Sequence, residues 1–246
     1  MRAPSGSPVS EIKFSVGPDL AEAVRQWARA RLAPDPHGSG PAGDVYRVAS
    51  LYLDSPALDV FEERGSYGRA KYRVRQYESG PIFLERKLKR GTRVIKRRTL
   101  VDSGELDRLA GGDPDPNKSG AWFHRRIAAR QLAPACQVSY VRLARLAPGP
   151  NGRLRLTLDE DIRARPVSGY AFAEPGAPVP EVQMVLEIKF PGAMPALFTT
   201  LLEQFHLVPE PVSKYLLAMA GLGHRPQTVP AGQPQVADGE EPCPTS

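Results

Sequence analysis

The chain has 246 residues, of which 41% are hydrophobic, and this is long and apolar enough for one large domain with a real core. Its 33 basic and 27 acidic residues give a net charge of +6, which favours an anionic partner but also fits a simple bias in composition. The two cysteines lack metal-type spacing and the four histidines are scattered, which argues against a disulfide framework, a zinc site and a Cys/His nucleophile.

Both ends of the chain are rich in Pro, Gly and polar residues and show no hydrophobic periodicity. We therefore predict disordered segments at residues 1–8 and 223–246, on either side of a single domain at residues 9–222. No apolar run approaches the roughly 20 residues that a membrane span needs, and the start of the chain has no apolar block of the signal-peptide type. The sequence therefore predicts a cytoplasmic protein without a membrane span of its own.

The predicted elements begin with a strand at 10–16 and a helix at 20–32, followed by a loop rich in Pro and Gly at 34–44. Further strands are predicted at 46–53, 70–78, 82–88, 93–101, 136–146, 153–163 and 182–190. Further helices are predicted at 57–64, 103–110, 121–132, 196–205 and 213–222. Many strands joined by short turns, with helices among them, predict an α+β fold with a large antiparallel sheet or a barrel.

Charged residues recur at every second position of these predicted strands. Side chains on a strand alternate between two faces, so in KYRVRQY the residues Arg73 and Arg75 share one face while Val74 lies on the other. The residues that this rule assigns to charged faces are Glu11, Lys13, Lys71, Arg73, Arg75, Glu85, Lys87, Lys89, Lys96, Arg98, Arg142, Arg153, Arg155, Asp159, Asp161, Glu187 and Lys189.

Two interpretations fit this pattern. In the first, an antiparallel sheet turns one polar face to water, which is the ordinary arrangement. In the second, the sheet closes on itself, its apolar face packs outward against the helices, and its charged face lines the interior. A dry charged interior would be too costly, but a wet one that holds a polyanion and a metal ion would not be. The dominance of Arg and Lys at central positions favours the second interpretation.

The motifs also resemble a known family. EIKF, SLYLDS, KYRVRQYE, FLERK, VIKRR, YVRLA, LRLTLDED, LEIKF and VSKY follow one another in the order found in the VTC domain of polyphosphate polymerases. That family is a branch of the triphosphate tunnel metalloenzymes, which also include the CYTH phosphatases. The resemblance covers residues 10–222 and implies a closed antiparallel β-barrel, or tunnel, of about eight strands with helices packed outside.

The resemblance implies roles for individual residues. The phosphate- and nucleotide-binding lining would consist of Lys13, Arg73, Arg75, Lys87, Lys96, Arg142, Arg155, Lys189, Ser213 and Lys214. Of these residues, Arg73, Arg75 and Lys87 would act with Glu187 in catalysis. Glu187 would also bind the metal, with Glu85 and Glu11 as candidates for a second carboxylate. Val9 stands where the E-x-E-x-K motif of CYTH phosphatases has its first Glu, and this departure favours the VTC branch.

The function implied by the resemblance is a metal-dependent polyphosphate polymerase, which transfers the γ-phosphate of ATP to a growing polyphosphate chain and uses Mn²⁺ or Mg²⁺. Two alternatives stay open: a metal-dependent triphosphatase that acts on inorganic triphosphate or a nucleotide, and a non-catalytic module that binds polyphosphate or another phosphate ligand. The expected partners are ATP and polyphosphate, with a membrane-anchored partner protein if the chain works at a membrane. Nucleic acid is not expected, because few exposed aromatics accompany the basic residues. The sequence makes no prediction of oligomeric state.

Overall fold

The computed structural model describes residues 9–225 except 79, 91–92, 113–114 and 181–183. The strands are β1 (Val9–Val16), β2 (Ala33–Pro34), β3 (Val45–Asp54), β4 (Ala70–Tyr77), β5 (Ile82–Arg90), β6 (Arg93–Val101), β7 (Ala133–Gly149), β8 (Gly152–Pro166), β9 (Ala177–Pro178) and β10 (Met184–Pro191). The helices are α1 (Pro18–Arg31), α2 (Gly104–Gly111), α3 (Ala121–Ala129), α4 (Ala196–Gln204) and α5 (Lys214–Gly221).

Eight long strands form one curled antiparallel sheet in the order β1-β10-β8-β7-β3-β4-β5-β6, and the short strands β2 and β9 pair with β7 and β8. This confirms the predicted α+β class with a large antiparallel sheet. The end strands β1 and β6 share no backbone pairing in the described residues, so a fully closed barrel is not confirmed. Their side chains nevertheless meet, because Lys96 on β6 donates to Glu11 on β1 at 2.8 Å.

The helices α1 and α4 cover one half of the apolar outer face. On α1, Val24, Trp27 and Ala28 follow the spacing of one helix face and are buried. They belong to a hydrophobic cluster with Leu156 on β8 and Ile188 on β10, both fully buried. Because these strand residues alternate with charged ones, packing of the helices outside turns the charged positions inward.

The helix α3 covers the other half of the outer face. The ring of Phe123 lies 5.8 Å from that of Tyr72 on β4, and Val74 and Leu84 are fully buried in the same cluster. The fifth helix, α5, differs because it packs on the charged side of the sheet. Its first turn carries Tyr215, whose ring stacks at 5.3 Å on Tyr52, the residue directly opposite Arg73.

The prediction of a helix at 57–64 is wrong, since this segment consists of turns. The carboxylate of Asp54, at the end of β3, accepts the backbone N–H groups of Val60 at 2.8 Å and Phe61 at 2.9 Å. Leu58 adopts a φ of 57°, in the left-handed region that an α-helix does not use. The buried carboxylate thus organises a turn by taking donors that a helix would direct to its own carbonyls.

The other predicted elements are found with shifted ends. β7 extends three residues beyond each predicted end, and β8 extends one residue before its predicted start and three beyond its predicted end. A tight turn joins them, and Gly152 beside it has a φ of 126°. Residues 182–183 of the last predicted strand lie outside the described residues. So do the segment 1–8 and residues 226–246 of the predicted tail. None of the described helices is long and apolar enough to cross a membrane.

Candidate functional site

The strand register joins the charged positions into one inner face. Lys13 on β1 lies opposite Glu187 on β10, and Glu11 lies opposite Lys189. Lys189 in turn lies opposite Arg155 on β8. Directly opposite residues project to the same side of a sheet, so the charged faces of neighbouring strands are continuous. This is the arrangement that the second interpretation of the charge pattern predicts.

A single carboxylate gathers four lysines from four strands. Glu11 accepts from Lys87 at 2.9 Å and from Lys96 at 2.8 Å, and it lies 3.6 Å from Lys189 and 3.7 Å from Lys13. These four lysines belong to β5, β6, β10 and β1, so the contacts draw both ends of the sheet together. Burial would raise the pKa of Glu11, but the lysines outweigh it and hold this pKa well below its usual value.

A second carboxylate shares two of these lysines. Glu187, which is buried, lies 3.7 Å from Lys13 and also contacts Lys189. Burial would raise the pKa of Glu187, but Lys189 and Lys13 together keep it below its ordinary value. Burial also lowers the pKa of each of these two lysines, and the carboxylates offset that only in part. We call Glu11, Lys13, Lys87, Lys96, Glu187 and Lys189 the lysine cluster.

Three guanidinium groups surround a third carboxylate. Glu85 on β5 accepts from Arg73 at 2.6 Å and lies 3.3 Å from Arg98 and 3.9 Å from Arg75. Burial would raise the pKa of Glu85, but Arg73 and Arg75 lower it to about 2. We call these four residues the arginine cluster. Since one carboxylate cannot neutralise three cations, the cluster retains positive charge.

Hydroxyl groups fix the two central arginines. Arg73 also donates to the hydroxyl of Tyr52 at 3.1 Å, and Arg75 donates to Ser50 at 3.0 Å. Both hydroxyls come from β3, the strand paired with β4. A guanidinium has five N–H groups and these contacts use only some of them, so each arginine keeps donors for an anion.

The carboxylate of Asp159 joins the sheet to α5. Asp159 is fully buried, accepts two hydrogen bonds from Arg142 at 2.6 and 2.7 Å, and contacts Lys214 at 2.5 Å. The ring of Tyr140 lies 5.1 Å from the Lys214 ammonium. Burial would raise the pKa of Asp159, but Arg142 and Lys214 lower it. Asp159 lies on a predicted charged face, but its role was not predicted, because nothing near it in the chain indicates Lys214.

The remaining predicted residues lie at the edges of this face. The hydroxyl of Ser213, just before α5, accepts from Lys71 at 3.1 Å. Arg155 is partly exposed and donates to Asp35 at 2.9 Å and to the hydroxyl of Tyr46 at 2.8 Å. Arg155 is therefore held by a loop carboxylate rather than by either of the two clusters.

The structure thus brings most of the predicted residues together. The lysine cluster contains Lys13, Lys87, Lys96, Lys189 and Glu187, and the arginine cluster contains Arg73, Arg75 and Glu85. Arg142 and Lys214 meet through Asp159, while Ser213 and Arg155 stand apart. A half-buried face with such an excess of cations can hold an anion rich in phosphate.

The carboxylates of the inner face could supply at most a few of the ligands of a small divalent ion. The described residues contain no group of three or more His, Cys, Asp and Glu side chains arranged for a metal. Mg²⁺ and similar ions are commonly held by one or two carboxylates and completed by water and substrate phosphates. Glu187 and Glu11 both contact Lys13 and Lys189, so a divalent ion bound by these two carboxylates would take the place of those ammonium groups. Glu85 contacts three arginines in the same way.

Comparisons with known proteins agree with this geometry. The family model described as "VTC domain" matches residues 9–222. A solved structure of a putative adenylate cyclase from Bacillus halodurans is 13% identical, with a TM-score of 0.53, and the match covers 84% of this chain and 94% of that chain. A putative adenylyl cyclase from Hippeastrum, with a dominant triphosphatase activity, is 16% identical, with a TM-score of 0.51 and coverage of 87% and 95%. Curated protein sequences give no match.

Proposed function

Because the chain belongs to the VTC domain family, we propose that it is a metal-dependent polyphosphate polymerase. In this reaction a terminal oxygen of a polyphosphate chain attacks the γ-phosphorus of ATP, the bond between the β- and γ-phosphates breaks, and ADP leaves. The observation that carries the proposal is the lysine cluster, in which four lysines from four strands meet around Glu11. The four ammonium groups can neutralise the charges of a linear polyanion, which carries several negative groups side by side.

The arginine cluster supports a role in binding the transferred group. Phosphoryl transfer depends mostly on positioning and on neutralising charge over the phosphate oxygens. Arg73 and Arg75 are held by Glu85, Tyr52 and Ser50, so their guanidinium groups are oriented before a ligand arrives. Groups that are already oriented cost no reorganisation during the reaction. We therefore assign Arg73 and Arg75 to the γ-phosphate of ATP.

The lysine cluster would bind the acceptor end of the polyphosphate chain. An incoming phosphate can take over the contacts that Lys87 and Lys96 make with Glu11. The attacking oxygen of a polyphosphate end is already ionised, so no general base is needed, and a nearby ammonium group keeps it in place. Glu187, with Glu11 beside it, would hold the Mn²⁺ or Mg²⁺ ion, which would neutralise charge on the phosphate oxygens.

A triphosphatase is the second candidate function. The support for it is the Hippeastrum structure, which shares this fold and has a dominant triphosphatase activity. A hydrolase would use the same cations but would place water, in place of a polyphosphate end, against the γ-phosphorus. The two candidates therefore differ in acceptor and in product, and both need Arg73 and Arg75.

The experiment that separates the candidates is a product analysis. The purified protein is incubated with ATP and with Mn²⁺ or Mg²⁺, and long-chain polyphosphate, ADP and orthophosphate are measured together. We expect polyphosphate to form with one ADP for each phosphate added. Orthophosphate without polymer would assign the protein to the triphosphatases, and ATP binding without turnover would leave a binding module. Arg73→Gln is expected to form neither product, and Arg31→Gln, an exposed change on α1, serves as its matched control.

A further inference from the structure

A second group of arginines lies on the outer side of the sheet. Arg86 on β5 and Arg97 on β6 are directly opposite one another. Each is one position away from Lys87 or Lys96, so both project to the face opposite the lysine cluster. We call Arg86, Arg97, Arg125 and Arg126 the outer arginine patch, since the last two are exposed on α3 and their charges act on Arg97.

The patch is an unfavourable arrangement for an unliganded protein. Like charges directly opposite one another in an antiparallel pair destabilise the pair. Burial lowers the pKa of Arg97, and the charges of Arg86, Arg125 and Arg126 lower it further. The Nε of Arg86 is buried and has no hydrogen-bond partner. Four guanidinium groups in one place therefore repel one another, and a bound anion would offset that repulsion.

Ion pairs with carboxylates do not offset this charge among the residues that the structure describes. Within the described part of the chain, none of the four arginines forms an ion pair. Two carboxylates of the nearby sequence contact a different arginine, because Arg108 lies 3.1 Å from Asp102 and 2.6 Å from Glu105. What holds the patch in place is packing, since the guanidinium of Arg97 lies 4.3 Å above the ring of Trp122.

We propose that the outer arginine patch is a second polyanion site, which binds the part of a polyphosphate chain that lies outside the inner face. The identity of the polyanion rests on the proposed function. Guanidinium forks suit phosphate oxygens, and four of them side by side suit a ligand that repeats phosphate along its length. A ligand held at two sites of one protein binds more tightly than at either site alone.

The position of β6 connects the two sites. Lys96 and Arg98 on this strand belong to the inner clusters, while Arg97 between them belongs to the outer patch. The far edge of β6 has no paired strand in the described residues. A flexible chain that crosses this edge would pass from Lys96 and Arg98 directly to Arg97.

The patch fits polyphosphate better than a nucleic acid. Single-stranded nucleic acids are held by aromatic side chains on which bases stack. The aromatic ring of the patch, Trp122, is only 5% exposed and is covered by Arg97. An anionic membrane surface is the closest competitor, because Ile95 is 43% exposed on the same face of β6. Vesicles and RNA are therefore included in the test.

The test compares two variants that remove the same charge. Arg125→Gln combined with Arg126→Gln removes two exposed arginines of the patch, and Arg31→Gln combined with Arg47→Gln removes two exposed arginines from α1 and β3. Binding of labelled long-chain polyphosphate and of tripolyphosphate is measured for both. We expect the patch variant to bind long-chain polyphosphate about tenfold more weakly, with tripolyphosphate binding unchanged, and the control to bind both normally.

Three results would overturn the inference. The first is unchanged binding of long-chain polyphosphate by the patch variant, and the second is an equal loss in both variants, which would indicate net charge alone. The third is a patch variant that binds polyphosphate normally but loses binding to vesicles of anionic lipid or to RNA. Binding is measured with added polyphosphate, so this test does not depend on polymer synthesis. If the protein makes no polymer but the patch variant binds long-chain polyphosphate more weakly, the polymerase proposal is contradicted and the outer site is supported.

Discussion

Lys96 on β6 donates to Glu11 on β1 at 2.8 Å, although no backbone pairing joins these two strands in the described residues. Lys87 on β5 reaches the same carboxylate at 2.9 Å. The two ends of the curled sheet are thus held together by charged side chains in place of a ladder of backbone hydrogen bonds. A phosphate group can compete with Glu11 for these lysines, but it cannot displace backbone amides that are paired in a ladder. We therefore infer that an anionic ligand alters the contacts between β1 and β6.

The first prediction concerns Glu11→Gln. The substitution leaves Lys13, Lys87, Lys96 and Lys189 without their shared counter-charge, so we expect the unliganded protein to lose about 2 kcal/mol of stability. Tripolyphosphate should then stabilise the variant more than it stabilises the original protein, because the anion takes the place of the missing carboxylate. Thermal unfolding with and without tripolyphosphate, in the absence of divalent ions, measures both effects.

A matched control for this prediction is Glu22→Gln. Glu22 is half-exposed on α1 and contacts Arg25 one turn away, so its loss removes the same charge from an ordinary surface pair. We expect that control to change neither the unfolding temperature nor the response to tripolyphosphate. Equal responses of the Glu11 and Glu22 variants would show that Glu11 does not occupy the position of a phosphate.

The second prediction concerns Asp159→Asn. Removing this buried charge leaves Arg142 and Lys214 facing one another without a counter-ion, and we expect a loss of about 3 kcal/mol in the free energy of unfolding. Urea unfolding measures this loss. Combining Asp159→Asn with Lys214→Met should recover part of it, because the second change removes one of the stranded cations. A double variant that is no more stable than Asp159→Asn alone would contradict the assignment.

The inner face could be predicted because it depends on local rules. Ile12 and Ile188 are apolar and pack against helices, so the alternation of side chains fixes Lys13 and Glu187 on the other face. The family resemblance then implied a closed barrel, of which the curled antiparallel sheet is confirmed and the closure is not. Arg73 was placed correctly in the same way, because Val74 beside it is fully buried.

The remaining features depend on contacts that are distant in the chain. Glu11 meets Lys87 across 76 positions, and Asp54 accepts from the hydroxyl of Tyr215 across 161 positions. Neither distance has a signature in the sequence, so Glu11 could not be ranked above Glu85 as the carboxylate beside Glu187. The helix predicted at 57–64 is wrong for a related reason. The buried carboxylates of Asp54 and Asp159 bind groups that come close to them only in the folded chain.

The third prediction is an acid dependence caused by Glu85. Arginines lower the pKa of Glu85 from 4.5 to about 2, so the folded protein binds this proton less readily than the unfolded chain does. Its stabilising contribution, about 3 kcal/mol, is therefore present above pH 4.5 and is lost as the pH falls towards 2. The difference in unfolding free energy between the original protein and Glu85→Gln should be largest near neutral pH and should shrink over that range. A difference that stays constant from pH 6 to pH 2 would contradict the prediction.

The fourth prediction tests the arginine cluster with Arg73→Lys. Lysine keeps the charge but has one ammonium group, so it cannot contact Glu85, Tyr52 and a phosphate with a fixed planar fork. We expect kcat to fall about a hundredfold for either candidate reaction, because the lost contact is one that matters most in the transition state. Arg31→Lys on the exposed side of α1 should have no effect on kcat. Equal rates for Arg73→Lys and Arg31→Lys would place the reacting phosphate away from the arginine cluster. A loss of kcat confined to Arg73→Lys, with the variant still folded at the assay temperature, would place it there.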